Sequence, residues 1–77
     1  MLLRMPKIGM EMTEATLARW LADEGALVDK GQPLYEMETD KVTTEIESPG
    51  RGRLRRIAEV GVVYAVGDSV AELIDET

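Results

Sequence analysis

A short segment near the middle of the chain carries the residue best suited to covalent chemistry. Its members are Glu38, Thr39, Asp40, Lys41 and Val42. Strand-forming residues lie on both sides, and aspartate tolerates turn geometry, so the pattern predicts a β-hairpin that reverses at Asp40 and Lys41. Such a hairpin would present the Lys41 amine to solvent, where an enzyme could deprotonate and acylate it. On these residues alone, Lys41 can equally be a solubilising turn residue.

Charged residues surround this lysine and follow it along the chain. The acidic ones (Glu38, Asp40, Glu45 and Glu47) are expected to form the solvated face of the hairpin, and attraction of a partner by charge is their alternative role. Asp40 is expected to hold the turn, because an aspartate can hydrogen-bond nearby backbone. The arginines Arg51, Arg53, Arg55 and Arg56 are expected on the outward face of one strand.

Composition excludes several classes of function. The chain has 77 residues, no cysteine and no histidine, which excludes disulfides and removes the commonest metal ligand and the commonest general base. A domain of this size has a small core and little room for a water-excluding cleft, so intrinsic catalysis is not expected. The formal net charge of −6 opposes nucleic-acid binding, which needs a basic face.

The chain is expected to form a single domain over residues 1–77 and to be monomeric in isolation. No apolar run approaches the roughly 18–20 residues that cross a membrane, and residues 1–6 are too short for a secretory signal. A cytoplasmic location is therefore predicted, although a processed chain in the mitochondrial matrix would have the same features.

Glycine and proline interrupt the chain at short intervals, which favours many short strands. Residues 13–24 are the one helical candidate, but their alternation also fits a strand, with a bulge expected where Trp20 and Leu21 both seek burial. Trp20 is predicted to lie in the core. Period-two alternation places Val42, Thr44 and Ile46 on one face of a later strand. Together these patterns predict an all-β sandwich or flattened barrel.

An internal repeat at an offset of 36 residues relates the two halves of the chain. The matched pairs are Gly25 and Gly61, Gly31 and Gly67, Leu27 and Val63, Leu34 and Val70, Met37 and Leu73, and Glu36 and Glu72. A repeat of this kind predicts two similar sheets related by an approximate two-fold axis. Residues 38–42 lie where the halves join, and their counterpart is the pair of chain ends. The hairpin and the termini are therefore expected at opposite ends of the domain.

The order of the motifs resembles the lipoyl domains of 2-oxo acid dehydrogenase complexes, over nearly the whole chain. The matching segments are residues 5–14, 20–25, 31–34, 38–42, 47–52 and 66–67. Gly25 precedes Lys41 by 16 residues and Gly52 follows it by 11, which makes the resemblance specific. The residues after Gly25 and Gly61 depart from it, because many members have an acidic residue where this chain has Ala26 and Val62.

The resemblance implies two four-stranded antiparallel sheets with Lys41 at a hairpin tip and lipoate in amide linkage to Lys41. It implies that Glu38, Thr39, Asp40 and Val42 form the attachment hairpin and take part in recognition, with no catalytic or metal-binding residue. The implied partners are a lipoate ligase or lipoyl transferase, a thiamin-dependent 2-oxo acid decarboxylase, an acyltransferase catalytic domain and dihydrolipoyl dehydrogenase. Residues 10–14 resemble the pyruvate and acetoin branches more than the 2-oxoglutarate branch.

Two alternatives stay open beside a lipoyl carrier. A biotinyl carrier of a carboxylase has the same fold, but its lysine usually lies between two methionines, whereas Lys41 lies between Asp40 and Val42. An unmodified interaction module would keep the fold but would carry no lipoate as a swinging arm on Lys41. Met10 and Met12 are interpreted as loop or core fillers without a cofactor role.

Overall fold

The computed structural model describes residues 1–74, which form eight short strands. The strands are β1 (Leu2–Arg4), β2 (Glu14–Trp20), β3 (Leu27–Val28), β4 (Pro33–Glu38), β5 (Thr43–Glu47), β6 (Gly52–Arg56), β7 (Val63–Ala65) and β8 (Ser69–Ile74). No helix long and apolar enough to cross a membrane occurs in the described residues. Residues 75–77, the end of the predicted 1–77 domain, lie outside them, so that boundary stays a prediction.

The strands form two antiparallel sheets of four strands each, in the orders β1-β8-β6-β3 and β5-β4-β2-β7. The two orders correspond strand by strand: β1, β8, β6 and β3 of the first sheet match β5, β4, β2 and β7 of the second, each four strands away along the chain when β1 is counted after β8. This correspondence confirms the predicted fold class and the two similar sheets. It also makes the β4–β5 connection the counterpart of the chain ends at β8 and β1. Their placement at opposite ends of the domain stays a prediction.

The repeat extends to backbone conformation and to side-chain pairing. The glycines of both matched pairs have positive φ: 82° at Gly25, 86° at Gly61, 87° at Gly31 and 96° at Gly67. The left-handed region favours glycine because it has no Cβ. Each sheet also has a cross-strand ion pair at the same relative position, Arg19 with Glu36 at 2.7 Å and Arg55 with Glu72 at 3.5 Å.

The core lies between the two sheets and contains side chains from both. One sheet contributes Ala15, Leu17, Leu34, Tyr35 and Met37, and the other contributes Leu3, Val28, Leu54, Val70, Ala71 and Leu73. Aliphatic residues and methionine dominate because the chain has no phenylalanine. In β6, buried Gly52 and Leu54 alternate with exposed Arg53 and Arg55, which confirms the predicted outward face for these two arginines. Arg51 precedes the strand, and Arg56, its last residue, is exposed but breaks the alternation.

The bulge of β2 lies earlier than predicted. The register against β4 shifts between Leu17 and Arg19, and not at Trp20 and Leu21. Leu17 and Trp20 are three residues apart, so a regular strand would place them on opposite faces. The extra residue at Ala18 turns both toward the core, which explains why the bulge belongs here.

Trp20 packs against the core, as predicted, but it lies at the edge of the core and is only half-buried. Its indole Nε1 donates a hydrogen bond to the Ala58 carbonyl at 3.1 Å, and a ring with a polar N–H settles where that donor finds an acceptor. The ring meets Tyr35 edge-on at a centroid distance of 5.4 Å. The Arg56 guanidinium lies 5.5 Å from the ring centroid, which places a cation over it.

Gly52, in β6, provides a test of how tightly the first sheet is packed. A Cβ at this position would lie 2.9 Å from the Ile74 carbonyl oxygen and 3.2 Å from the Leu73 Cβ. Gly52→Ala should therefore lower the free energy of unfolding by about 1–3 kcal/mol, the usual effect of overpacking. Gly50→Ala is the matched control, because its Cβ would meet only the Met1 Cε at 3.5 Å. Equal stability of the two variants in denaturant titrations would contradict this packing.

Tyr35 makes stability depend on pH in the alkaline range. Burial raises the pKa of Tyr35 to about 12 from its ordinary value of 10.0. Between these values the unfolded chain has lost a proton that the folded protein keeps, so stability is full below pH 10 and falls as the pH rises toward 12. The expected loss is roughly 2–3 kcal/mol, from denaturant titrations at about pH 9 and pH 12. Tyr35→Phe should show a smaller loss, and an unchanged loss in that variant would contradict the assignment.

Candidate functional site

The predicted turn is formed by residues 39–42, between β4 and β5. The strands pair up to Glu38 and Thr43, and the Thr39 amide donates to the Val42 carbonyl at 2.8 Å. Asp40, Lys41 and Val42 are exposed. The turn therefore holds its backbone by ladder and turn hydrogen bonds while the Lys41 side chain faces solvent.

Thr39, and not Asp40, closes the turn. The Thr39 hydroxyl accepts hydrogen bonds from the amides of Lys41 at 3.3 Å and Val42 at 3.2 Å, and it donates to the Val42 carbonyl at 3.4 Å. A threonine hydroxyl can organise a turn in the same way as an aspartate carboxylate. The expectation that Asp40 holds the turn was wrong, because the residue before it already supplies these contacts.

The strand after the turn starts one residue later than expected. In β5, half-buried Thr44 and Ile46 alternate with exposed Thr43, Glu45 and Glu47, which confirms the alternation. Val42 does not share their face, because it belongs to the turn and is 52% exposed. An apolar side chain therefore stands in solvent directly after Lys41.

An open groove of about 840 Å³ lies beside the turn. Its lining residues come from two places, the turn with the strand ends around it and the loop between β1 and β2. They are Ile8, Gly9, Met10, Glu11, Met12, Thr13 and Glu14 on one side and Met37, Thr39, Asp40, Lys41, Val42 and Thr44 on the other. The structure thus brings the candidate lysine next to a loop that the motif search did not connect with it.

That loop has contacts that define its shape. The Met12 amide donates to the Gly9 carbonyl at 3.1 Å, and the Met12 Sδ accepts from the Ile8 amide at 3.4 Å. The Val66 amide donates to the Thr13 carbonyl at 2.9 Å, which fastens the loop end to the segment after β7. Sequence analysis missed this wall of the site, and two methionines among few large apolar side chains were the available signal.

Exposed carboxylates lie on the hairpin that carries Lys41, whereas the nearby arginines of β6 and the segment before it have partners of their own. Exposed Glu38, Glu45 and Glu47 belong to the sheet that carries Lys41. In the other sheet and beside it, Arg51 pairs with Asp29 at 2.9 Å and Arg53 donates to the Gly25 carbonyl at 3.0 Å. The exposure of Glu38, Asp40, Glu45 and Glu47 confirms the prediction that these residues form the solvated face of the hairpin.

Comparison with known proteins places the chain in a family. A family model described as "Biotin-requiring enzyme", that of the biotin/lipoyl family, matches residues 2–73. In the solved lipoyl domain of the 2-oxoglutarate dehydrogenase complex from Azotobacter vinelandii, 98% of the chain superimposes on 99% of this one, with a TM-score of 0.79 and 21% identity. At that identity, the likeness shows the fold.

Curated relatives are acyltransferase components. The chain is 44% identical over 63 residues to the dihydrolipoyllysine-residue acetyltransferase component of the acetoin cleaving system from Cupriavidus necator, covering 80% of this chain and 17% of that protein. Over 69 residues it is 39% identical to the succinyltransferase component of the 2-oxoglutarate dehydrogenase complex from Rickettsia bellii, with coverages of 88% and 17%. The chain spans less than a fifth of either relative. On the family match and the fold together, it belongs to the biotin/lipoyl family and has the lipoyl-domain fold.

Proposed function

We propose that the chain is a non-catalytic lipoyl carrier domain with lipoate in amide linkage to Lys41. The observation that carries the proposal is the exposed Lys41 in a turn whose backbone is fixed by Thr39 and by the β4–β5 ladder. An attaching enzyme needs an accessible amine at a defined position, and this turn supplies both. Lipoate, when bound, supplies a disulfide that can take up an acyl group and two electrons.

Two features favour lipoate over biotin as the attached group. Lys41 lies between Asp40 and Val42, without the flanking methionines that are usual in biotinyl domains. The curated relatives are named as dihydrolipoyllysine-residue transferases. A biotinyl carrier of a carboxylase is the alternative, and binding of the expressed protein to streptavidin would favour it.

In this proposal the protein holds the attachment point of lipoate in place and offers no group that would react with its disulfide. Thr39 and the strand ends at Glu38 and Thr43 hold the attachment point. Acylation removes one positive charge from the turn. The chain has no cysteine, so no thiol of its own can exchange with a carried disulfide.

The proposed setting is a 2-oxo acid dehydrogenase complex of the pyruvate or acetoin type. The partners would be a lipoate ligase or lipoyl transferase, a thiamin-dependent decarboxylase, the acyltransferase catalytic domain and dihydrolipoyl dehydrogenase. The names of the relatives support an acyltransferase of an acetoin or 2-oxo acid dehydrogenase system, and the pyruvate or acetoin type rests on residues 10–14 alone. Tethering would keep the arm at high effective concentration near successive sites. The cytoplasmic location and the monomeric state stay predictions.

Replacement of Lys41 tests the attachment site. Lys41→Ala should abolish the lipoyl mass increment after expression with a lipoate ligase, because no other amine is held in this turn. Its free energy of unfolding should change by less than about 0.5 kcal/mol, as for other exposed residues. Lys30→Ala is the matched control and should be modified as in the wild type. A lipoyl increment on the Lys41→Ala protein would disprove the assignment, and an unmodified wild-type chain would favour the interaction module.

Replacement of Thr39 tests whether the turn must be fixed. Thr39→Val keeps the shape of the side chain and removes the hydroxyl that binds two turn amides. The loss of about 1 kcal/mol in the turn should slow modification of Lys41 roughly three- to tenfold. Time courses of intact mass measure this rate. Thr43→Val, in the adjacent exposed position, should leave it unchanged, and equal rates for the two variants would show that Thr39 does not position the lysine.

A further inference from the structure

We infer that the lipoyl group attached to Lys41 (the arm) binds reversibly in the groove beside the turn, which is then its resting site. The β1–β2 loop forms one wall of this groove. The inference rests on the proposed function and goes beyond it, because a carrier needs only an exposed lysine. It assigns to Ile8, Met10 and Met12 a role that their sequence did not suggest. It also commits the groove to one occupant, the apolar chain attached to its own wall.

The attachment point lies at the groove itself. Lys41 and both its neighbours, Asp40 and Val42, are themselves lining residues of the groove. A chain attached to the Lys41 amine starts at this groove and needs no long excursion to enter it. The tether also makes entry intramolecular, so weak contacts are enough to populate the bound position.

The walls of the groove carry apolar side chains that suit an apolar occupant. Large apolar side chains line the groove: Ile8 is 50% exposed, Met10 94% and Val42 52%, and buried Met37 also contributes. An eight-carbon chain with a disulfide ring is apolar and polarizable, and it gains free energy by covering such surface. Methionine suits this task because its flexible thioether adapts to irregular shapes.

The charge of the groove favours a neutral occupant over an anionic one. The groove is lined by Glu11, Glu14 and Asp40, three carboxylates that repel an anionic ligand. Acylation converts the Lys41 ammonium into a neutral amide, so the attached arm has no charge to desolvate on entry. A neutral apolar occupant therefore fits this site better than a nucleotide or a phosphorylated metabolite.

The loop wall of the groove is already ordered in the unmodified chain. The contact of the Ile8 amide with the Met12 Sδ, at 3.4 Å, and the Met12–Gly9 backbone hydrogen bond, at 3.1 Å, give the loop its own internal order. Met12 also packs against the core cluster. A preformed wall lowers the entropy cost of seating a flexible chain. Because the groove is open to solvent on one side, the arm can leave it when a partner binds.

The methionines of this chain provide an internal test by NMR. Three of the five line the groove (Met10, Met12 and Met37), whereas Met1 and Met5 do not. Methionine-methyl-labelled protein is compared in three forms: unmodified, lipoylated on Lys41, and carrying acetyl-lysine at position 41. The acetyl form removes the charge without adding the arm. Intact mass establishes modification before each spectrum.

The expected result is a change in the methyl shifts of Met10, Met12 and Met37 on lipoylation that is several times larger than at Met1 and Met5. The acetyl form should show only small changes. In an Ile8→Ser/Met10→Ser variant, the lipoylation shifts at Met12 and Met37 should fall by at least half. An Ile57→Ser/Val60→Ser control removes exposed apolar side chains elsewhere (46% and 58% exposed) and should keep the full shifts.

Each other outcome overturns the inference in a recognisable way. A lipoylated chain without shifts at the groove methionines would leave the carrier function standing and exclude the resting site. Equal shifts in the lipoyl and acetyl forms would assign them to the lost charge. Shifts that survive the Ile8→Ser/Met10→Ser change would exclude this wall. A wild-type chain without the lipoyl mass increment would overturn both the proposed function and the inference.

Discussion

The pairing of β4 with β5 is the interaction on which the rest of the structure depends. The same ladder that turns Tyr35 and Met37 into the core brings Glu38 opposite Thr43 and leaves four residues to close the turn. Because the inner part of the ladder is buried, its register is tightly specified, and a slip by one residue would expose the core side chains. The position of Lys41 is therefore as well defined as the core itself, although its side chain is in solvent.

Duplication of one design explains how so short a chain obtains two sheets. Each half supplies strands with buried side chains and a cross-strand ion pair of arginine with glutamate, Arg19–Glu36 or Arg55–Glu72. These pairs are exposed and contribute little stability, so their value here is as markers of the symmetry. The halves differ where function lies. The β4–β5 connection is a closed turn with a lysine, whereas its counterpart consists of the chain ends.

The loop between β1 and β2 adds a second level to the site. A turn alone presents an amine, but the loop provides an apolar surface next to it, and the groove between them contains both carboxylates and thioethers. Such a site can hold a neutral arm weakly and release it, because part of the apolar surface stays in contact with solvent. Under the proposed function, the lipoyl group on Lys41 would have a bound position in this groove and would not always be free in solvent.

The sequence by itself determined the fold class, the duplication and the turn that exposes Lys41, because alternation, turn residues and the 36-residue offset are local or periodic properties that a single chain displays. It did not determine the bulge at Ala18 or the half-buried edge position of Trp20, because both depend on which side chains meet across the sheets. It assigned the turn to Asp40, whereas the contacts belong to Thr39, since two adjacent residues had the same chemical ability. Only the tertiary structure placed Met10 and Met12 in one groove with Lys41, because the proximity of residues about 30 positions apart depends on how the loop folds against the strand ends.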